Sequence, residues 1–239
     1  MKRKSRIFFG FVGASGLLAS TSLYAQIIGT GSLYITAPGF SATGDQAGPY
    51  LVSPLTSSTG ANPGSSFETF CIGTQVNYYP GSTYSYQISD TVQPSGQPPG
   101  GVGLPGYVTW GTAWLYSQYR AGLIGDGAKN DGVNDALQGL IWTLQGQNTS
   151  GVTFNADLTA YNGFLTDVET AAAAAGVSDT SDADGAFGVY ALNMFSGNSY
   201  AQPQLCMVPV PEPATFLAGG LMLLPFGVSL LRIARKHLA

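Results

Sequence analysis

Charge is what this chain has least of. Only 9% of its 239 residues are Asp, Glu, Lys or Arg, against about 25% in an ordinary globular protein. Low charge combined with 44% hydrophobic and 12% aromatic residues excludes a charge-rich disordered chain. Histidine is scarcer still: the one example, His237, lies three residues from the end, so residues 27–213 have none. That excludes Ser-His-Asp and Cys-His nucleophile systems and most zinc sites there. Positive charge is almost missing from the same stretch. Arg120 and Lys129 face thirteen acids, a net of −11, which gives nucleic acid nothing to bind. There are two cysteines, Cys71 and Cys206, enough for a single disulfide at most. Nothing in the composition calls for a cofactor or a metal.

The remaining bases mark the two ends. Lys2, Arg3, Lys4 and Arg6 precede an apolar run from Ile7 to Ala19, then small and polar residues lead to Tyr24-Ala25-Gln26. A basic, then apolar, then small-residue order is that of a secretory signal, and 1–25 is read as one, with cleavage after Ala25. The first partner is then the secretion translocon. At the other end Pro211-Glu212-Pro213 precedes an uncharged run from Ala214 to Leu231, followed by Arg232, Arg235 and Lys236. That run is close to the lower length limit for a helix crossing hydrocarbon. It contains Gly219, Gly220 and Pro225, which a membrane helix tolerates. The basic cluster should stay cytoplasmic, leaving 26–208 outside, in agreement with the signal.

The tripeptide, the apolar helix and the basic end, in that order over 209–239, resemble the PEP-CTERM sorting signal. The resemblance implies recognition by an exosortase, a membrane-embedded transpeptidase-like enzyme of Gram-negative bacteria. It also implies transient anchoring in the inner membrane, processing of the tail, and delivery to the cell surface or exopolysaccharide matrix.

Between the ends, 26–208 is long enough for one domain with its own core. Stretches rich in β-branched and aromatic residues predict strands over 27–37, 66–74 and 83–89, and again over 187–195 and 202–208. Ser196-Gly197-Asn198 is a hairpin turn signal. The Gly- and Pro-rich stretch 93–106 reads as a loop. Three helices are expected in the middle. One covers 109–122 and carries Trp110, Trp114 and Leu115. A second, 133–147, aligns Val133, Leu137, Leu140, Ile141 and Leu144, with Asp131 or Asn134 as its cap. A third, 155–175, aligns Leu158, Tyr161, Leu165 and Val168 and ends at Gly176. The predicted fold is α+β: a β-sandwich or barrel-like sheet with a three-helix insertion, plus the signal peptide and one C-terminal transmembrane helix at about 214–231.

Two motifs carry chemistry. Thr69-Phe70-Cys71-Ile72 is an aromatic-Cys-aliphatic strand, and Leu137-Gln138-Gly139-Leu140-Ile141-Trp142 is an apolar-Gln-x-x-apolar-Trp helix. Gln138 shares a secondary stripe with Ile141, Trp142 and Gln145, beside the main apolar face. With Thr112-Ala113-Trp114-Leu115-Tyr116 and the closing strands Asn193-Met194-Phe195 and Gln204-Leu205, the pair resembles the thioester domains of bacterial surface adhesins, over 67–208. In that family a cysteine sulfur displaces ammonia from a glutamine side chain, and surface amines then attack the thioester. The resemblance makes Cys71 and Gln138 the candidate pair. It departs from the family in lacking a later Thr-Gln-x-Ala block, which there supplies the bonding glutamine, and Gln138 matches the family's middle, structural motif more closely. Such a site needs proximity and no histidine.

The residues leave other states open. Exported chains with two cysteines often join them, here Cys71–Cys206, or each is a buried free thiol. The acidic turns at 126–135 and 179–185 lack the spacing of a calcium loop. Trp110, Trp114 and Trp142 have the spacing of core residues before that of a sugar platform. The functional expectation is a non-enzymatic, adhesive or structural surface protein meeting surface amines or polysaccharide. The competing expectation is a secreted carbohydrate-active hydrolase with a carboxylate pair such as Glu68 and Glu169.

Overall fold

The computed structural model describes residues 27–36, 48–55, 59–61, 63–74, 79–93, 106–125, 131–149 and 156–209. The expected signal peptide 1–25, the tripeptide Pro211-Glu212-Pro213 of the expected sorting tail, the expected membrane helix and the bases Arg232, Arg235 and Lys236 lie outside these. Among the described residues no helix is long and apolar enough to cross a membrane.

The architecture is α+β. The described residues form ten strands: β1 (Ile27–Thr36), β2 (Tyr50–Pro54), β3 (Thr59–Gly60), β4 (Phe67–Thr69), β5 (Ser82–Ser89), β6 (Thr91–Val92), β7 (Gly106–Tyr107), β8 (Val189–Ser196), β9 (Ser199–Tyr200) and β10 (Gln204–Met207). Three helices, α1 (Trp110–Arg120), α2 (Asp131–Leu144) and α3 (Leu158–Ala175), form one insertion between β7 and β8. The main sheet is antiparallel in the order β10-β8-β5-β1-β2-β4, with β3 added to β1 and β9 to β8. It then closes on itself. Cys71, just past β4, forms a bridge with Gln204 at the start of β10. The two ends of this strand order thus meet at a single bridge.

The pleat sorts side chains to two sides. Leu33 and Ile35, Tyr50 and Val52, Phe67 and Cys71, Tyr84, Tyr86 and Ile88, Leu192 and Met194, and Cys206 form one buried cluster on one face of the sheet, together with Trp142. The register agrees strand by strand: Leu33 faces Tyr84, Ile35 faces Val52, Tyr86 faces Met194 and Val52 faces Phe67. Gly31 makes room for Tyr86, since a Cβ there would sit 2.7 Å from its hydroxyl oxygen. Residues of the opposite parity, Phe70, Ile72, Val189, Ala191 and Leu205, meet the helices in a second core.

Helix ends follow local chemistry. Thr109 caps α1 through its hydroxyl. Asp157 caps α3, accepting from the N–H groups of Thr159 and Ala160. Gly176 ends α3 at φ +70°, a conformation glycine adopts without strain. The second helix starts at Asp131, two residues before the predicted start. Its predicted face is buried at Leu137, Leu140, Ile141 and Leu144. In α3 the apolar face is Tyr161, Phe164, Leu165 and Val168, whereas Leu158 is 72% exposed. Leu158 is the first residue of the helix, before the chain has turned onto the core. The predicted strand from Phe187 starts instead at Val189. Phe187 has φ +59° and lies in a short 3-10 turn, Ala186–Gly188.

Candidate functional site

The site is built where the two ends of the sheet meet. Around the Cys71–Gln204 bridge, the Ile72 N–H donates to Pro203 O (2.9 Å) and the Leu205 N–H donates to Phe70 O (3.1 Å). These are the bonds that flank a non-hydrogen-bonded antiparallel pair, the class in which facing side chains come closest. The Thr69 hydroxyl adds a bond across the seam to Leu205 O at 2.6 Å. The result is direct contact: Gln204 Nε2 donates to Cys71 Sγ at 3.3 Å. Both residues are fully buried.

The other edge of Cys71 meets α2. In an extended chain one residue's N–H and C=O point to the same edge. The Cys71 N–H donates to Gln138 Oε1 at 2.9 Å, and Gln138 Nε2 donates to Cys71 O at 2.8 Å. The carboxamide is a peptide group in miniature, and here it replaces one. Strand β2 pairs with β4 only as far as Tyr50 opposite Thr69; the next partner of Cys71 would have been residue 48. Gly48 instead packs where a Cβ would lie 2.8 Å from the Phe70 ring and 3.3 Å from Gln138 Oε1. Gln138 thus continues the ladder and fixes α2 to the seam.

The expected contact between Cys71 and Gln138 is therefore present, but it is made by the Cys71 main chain. Both ends of the Gln138 amide are engaged by the Cys71 peptide groups, while the Cys71 sulfur faces Gln204. No disulfide joins Cys71 to Cys206; both are free and buried. The register puts Gln204 opposite Cys71 and puts Cys206 opposite Tyr190, whose carbonyl accepts from Cys206 Sγ at 3.7 Å.

Electrostatics follow from enclosure. Burial pushes the Cys71 thiol up to about 12, partly offset by hydrogen bonds from Gln204 and Tyr50. Burial likewise pushes Cys206 upward, with Arg120 acting against it. Neither sulfur is a thiolate at neutral pH. Gln204 Oε1 is buried without a hydrogen-bond partner, which costs on the order of 1–3 kcal/mol. Gln145, on the Gln138 stripe, has both amide atoms buried and without partners.

Other sequence candidates sit elsewhere. Glu68 Oε2 accepts from the Tyr119 hydroxyl at 2.6 Å, an arrangement that raises the Tyr119 pKa after burial has done so first. Glu169 is on the exposed side of α3. The 182–184 turn is closed by the Asp184 N–H on Asp182 Oδ1, and among the described residues no cluster of three or more His, Cys, Asp or Glu is placed to hold a metal. Trp142 is buried in the core, and Trp110 stacks edge-on against Phe187. Gln204 was legible in sequence only as part of a closing strand.

Comparison of the chain with protein-family models, curated proteins and solved structures finds no match.

Proposed function

We propose that this is an exported surface protein whose barrel carries an internal thioester between Cys71 and Gln204 for covalent attachment to surface amines. The observation that carries the reading is the 3.3 Å contact between the buried Cys71 sulfur and the buried Gln204 amide. In the reaction Sγ adds to Cδ of Gln204, the Cδ–Nε2 bond breaks, and ammonia leaves with the thiol proton. Proximity of this kind replaces a bimolecular encounter. An incoming amine would attack Cδ, form an amide and free Cys71.

Export and sorting complete the proposal. Residues 1–25 direct secretion through the translocon, and 209–239 form a PEP-CTERM-type tail handled by an exosortase-type enzyme. The tail holds the chain briefly in the inner membrane through about 214–231, before delivery to the surface or polysaccharide matrix of a Gram-negative bacterium. What supports this is the order of Pro211-Glu212-Pro213, the uncharged run and Arg232, Arg235 and Lys236. The intact mass of the purified chain tests the attachment chemistry. It should be lower by one ammonia than the sequence requires, and methylamine should restore mass by adding at Gln204. A full mass with a freely alkylated Cys71 after unfolding overturns the thioester.

A further inference from the structure

Arg120 is the one base among the described residues, and it lines a groove. Its guanidinium donates to the Tyr116 hydroxyl at 3.2 Å and lies over the Phe67 and Tyr116 rings, 5.2 and 5.9 Å from their centroids. None of these partners is an acid. The groove, about 700 Å³, lies between the end of α1, the 185–188 turn and the end of β10, and most of its wall is apolar: Pro63, Ala121, Phe187, Met207 and Pro209. Phe187 is the costly member. Its backbone is at φ +59°, a conformation a bulky residue holds only under strain, and its side chain is 42% exposed beside Trp110. A strained aromatic that the described fold leaves uncovered calls for an occupant.

We propose that this groove seats residues 210–213 of the same chain, with the Glu212 carboxylate paired to Arg120, so that the folded body covers the tripeptide until the sorting enzyme draws it out. Position, charge and composition carry the inference. The last described residues are on the groove itself: the Val208 N–H donates to Gly188 O at 2.8 Å, and Pro209 is in the wall. Glu212 is three residues further on, at most about 11 Å of chain, and Arg120 is on the same wall. Glu212 is also the one charge between Asp184 and Arg232, so on this stretch it alone complements a guanidinium whose partners are neutral. An exposed ion pair is worth little by itself. Val210 and Pro211 add apolar surface to set against Phe187 and Met207. Prolines alternate at 209, 211 and 213, and a proline and the residue before it have few conformations to lose on docking. The docking needs no thioester; its consequence for sorting rests on the sorting reading above.

Hydrogen exchange at the Val210 and Glu212 amides of the full-length chain tests the seat, because docking should slow both. Arg120→Glu and Glu212→Arg should each speed exchange by about 2–5-fold, the range of an exposed ion pair, and the double variant should restore the slow rate. If Arg120 mattered only through its stacking on Phe67 and Tyr116, a change at position 212 would not rescue Arg120→Glu. Glu212→Arg leaves those stacking contacts in place, so it serves alone if Arg120→Glu does not fold. Exchange at the rate of a free peptide in the unaltered chain, or no rescue by the double variant, overturns the docking. Slow exchange that is lost on dilution assigns the groove to a second copy and overturns it too. In a host with the sorting enzyme, Arg120→Glu should be processed about 2–5-fold faster than the unaltered chain, by the same release. Equal processing overturns the covering role and leaves the docking standing. Processing of neither chain overturns the sorting reading, while exchange still decides the docking.

Discussion

Cys71 and Gln204 face each other across the seam where the two ends of the sheet meet, with the amide nitrogen 3.3 Å from the sulfur. The seam is short. Two main-chain bonds and the Thr69 hydroxyl hold it beside this one bridge. A bond between the two side chains would lock the first and last inward-facing positions of the closure together.

That geometry separates the two glutamines. Cys71→Ala and Gln204→Ala should each abolish the loss of ammonia and the uptake of methylamine. Cys206→Ala should leave both intact. Gln138→Ala should act on stability instead, since it leaves the Cys71 N–H and C=O buried without partners, at about 1–3 kcal/mol each. Urea unfolding of the four variants, with intact mass on each, checks the division. Methylamine found on Gln138 would show that the assignment to Gln204 is wrong.

Much of this was legible before the structure, for identifiable reasons. The α2 face at Leu137, Leu140, Ile141 and Leu144 repeats at helical spacing, so the sequence names it without tertiary information. β1, β5 and β8 are eight to ten residues long, long enough for their composition to show. β2 escaped notice because it has five residues, ends in Pro54 and follows Gly48 and Pro49. The role of Gln204 was hidden by register. A glutamine on a strand points inward or outward with equal ease, and a slip of one residue reverses the choice. Only pairing with Leu192 on β8 and with Cys71 across the seam fixes it inward. The closure itself is tertiary and leaves no local pattern.

The helix insertion predicts a contrast between two leucines. Leu140 is fully buried in the core beneath α2, whereas Leu158 is 72% exposed at the start of α3. Leu140→Asp places a carboxylate where no water or base reaches it and should destabilise by several kcal/mol, on the order of 3–5. Leu158→Asp should change stability by less than about 0.5 kcal/mol. Thermal unfolding compares them. Similar melting temperatures for the two variants would mean the α2 face is assigned incorrectly.

The tail makes a prediction about location. Glu212 is the one charge between Asp184 and Arg232, and in sequence it lies between two prolines. Glu212→Ala should leave export intact but block sorting, so the chain accumulates unprocessed in the membrane fraction. Fractionation with an antibody to the body follows this in a host that carries the sorting enzyme. Normal processing and surface delivery of Glu212→Ala would remove the tripeptide from the proposal.

The buried thiols predict how stability depends on pH. Unfolded, a cysteine titrates near its ordinary value of 9.0; folded, Cys71 is pushed up to about 12 by burial. Between those values the unfolded chain has lost the proton and the folded chain has kept it. Fewer protons bound in the unfolded state means that stability falls as pH rises. The contribution is fully present below about pH 9 and fades toward 12, by about 1.4 kcal/mol per unit for one such thiol. Cys206 acts in the same direction, since burial raises it too. A thioester removes Cys71 from this balance, because its sulfur no longer carries a proton. Urea unfolding at pH 8, 9 and 10 should therefore give a steeper alkaline loss for the ammonia-opened chain than for the closed one. Substituting Cys206→Ala in both samples should flatten both curves and preserve the difference. Identical slopes for the opened and closed forms would show that Cys71 is not the sulfur in the bond.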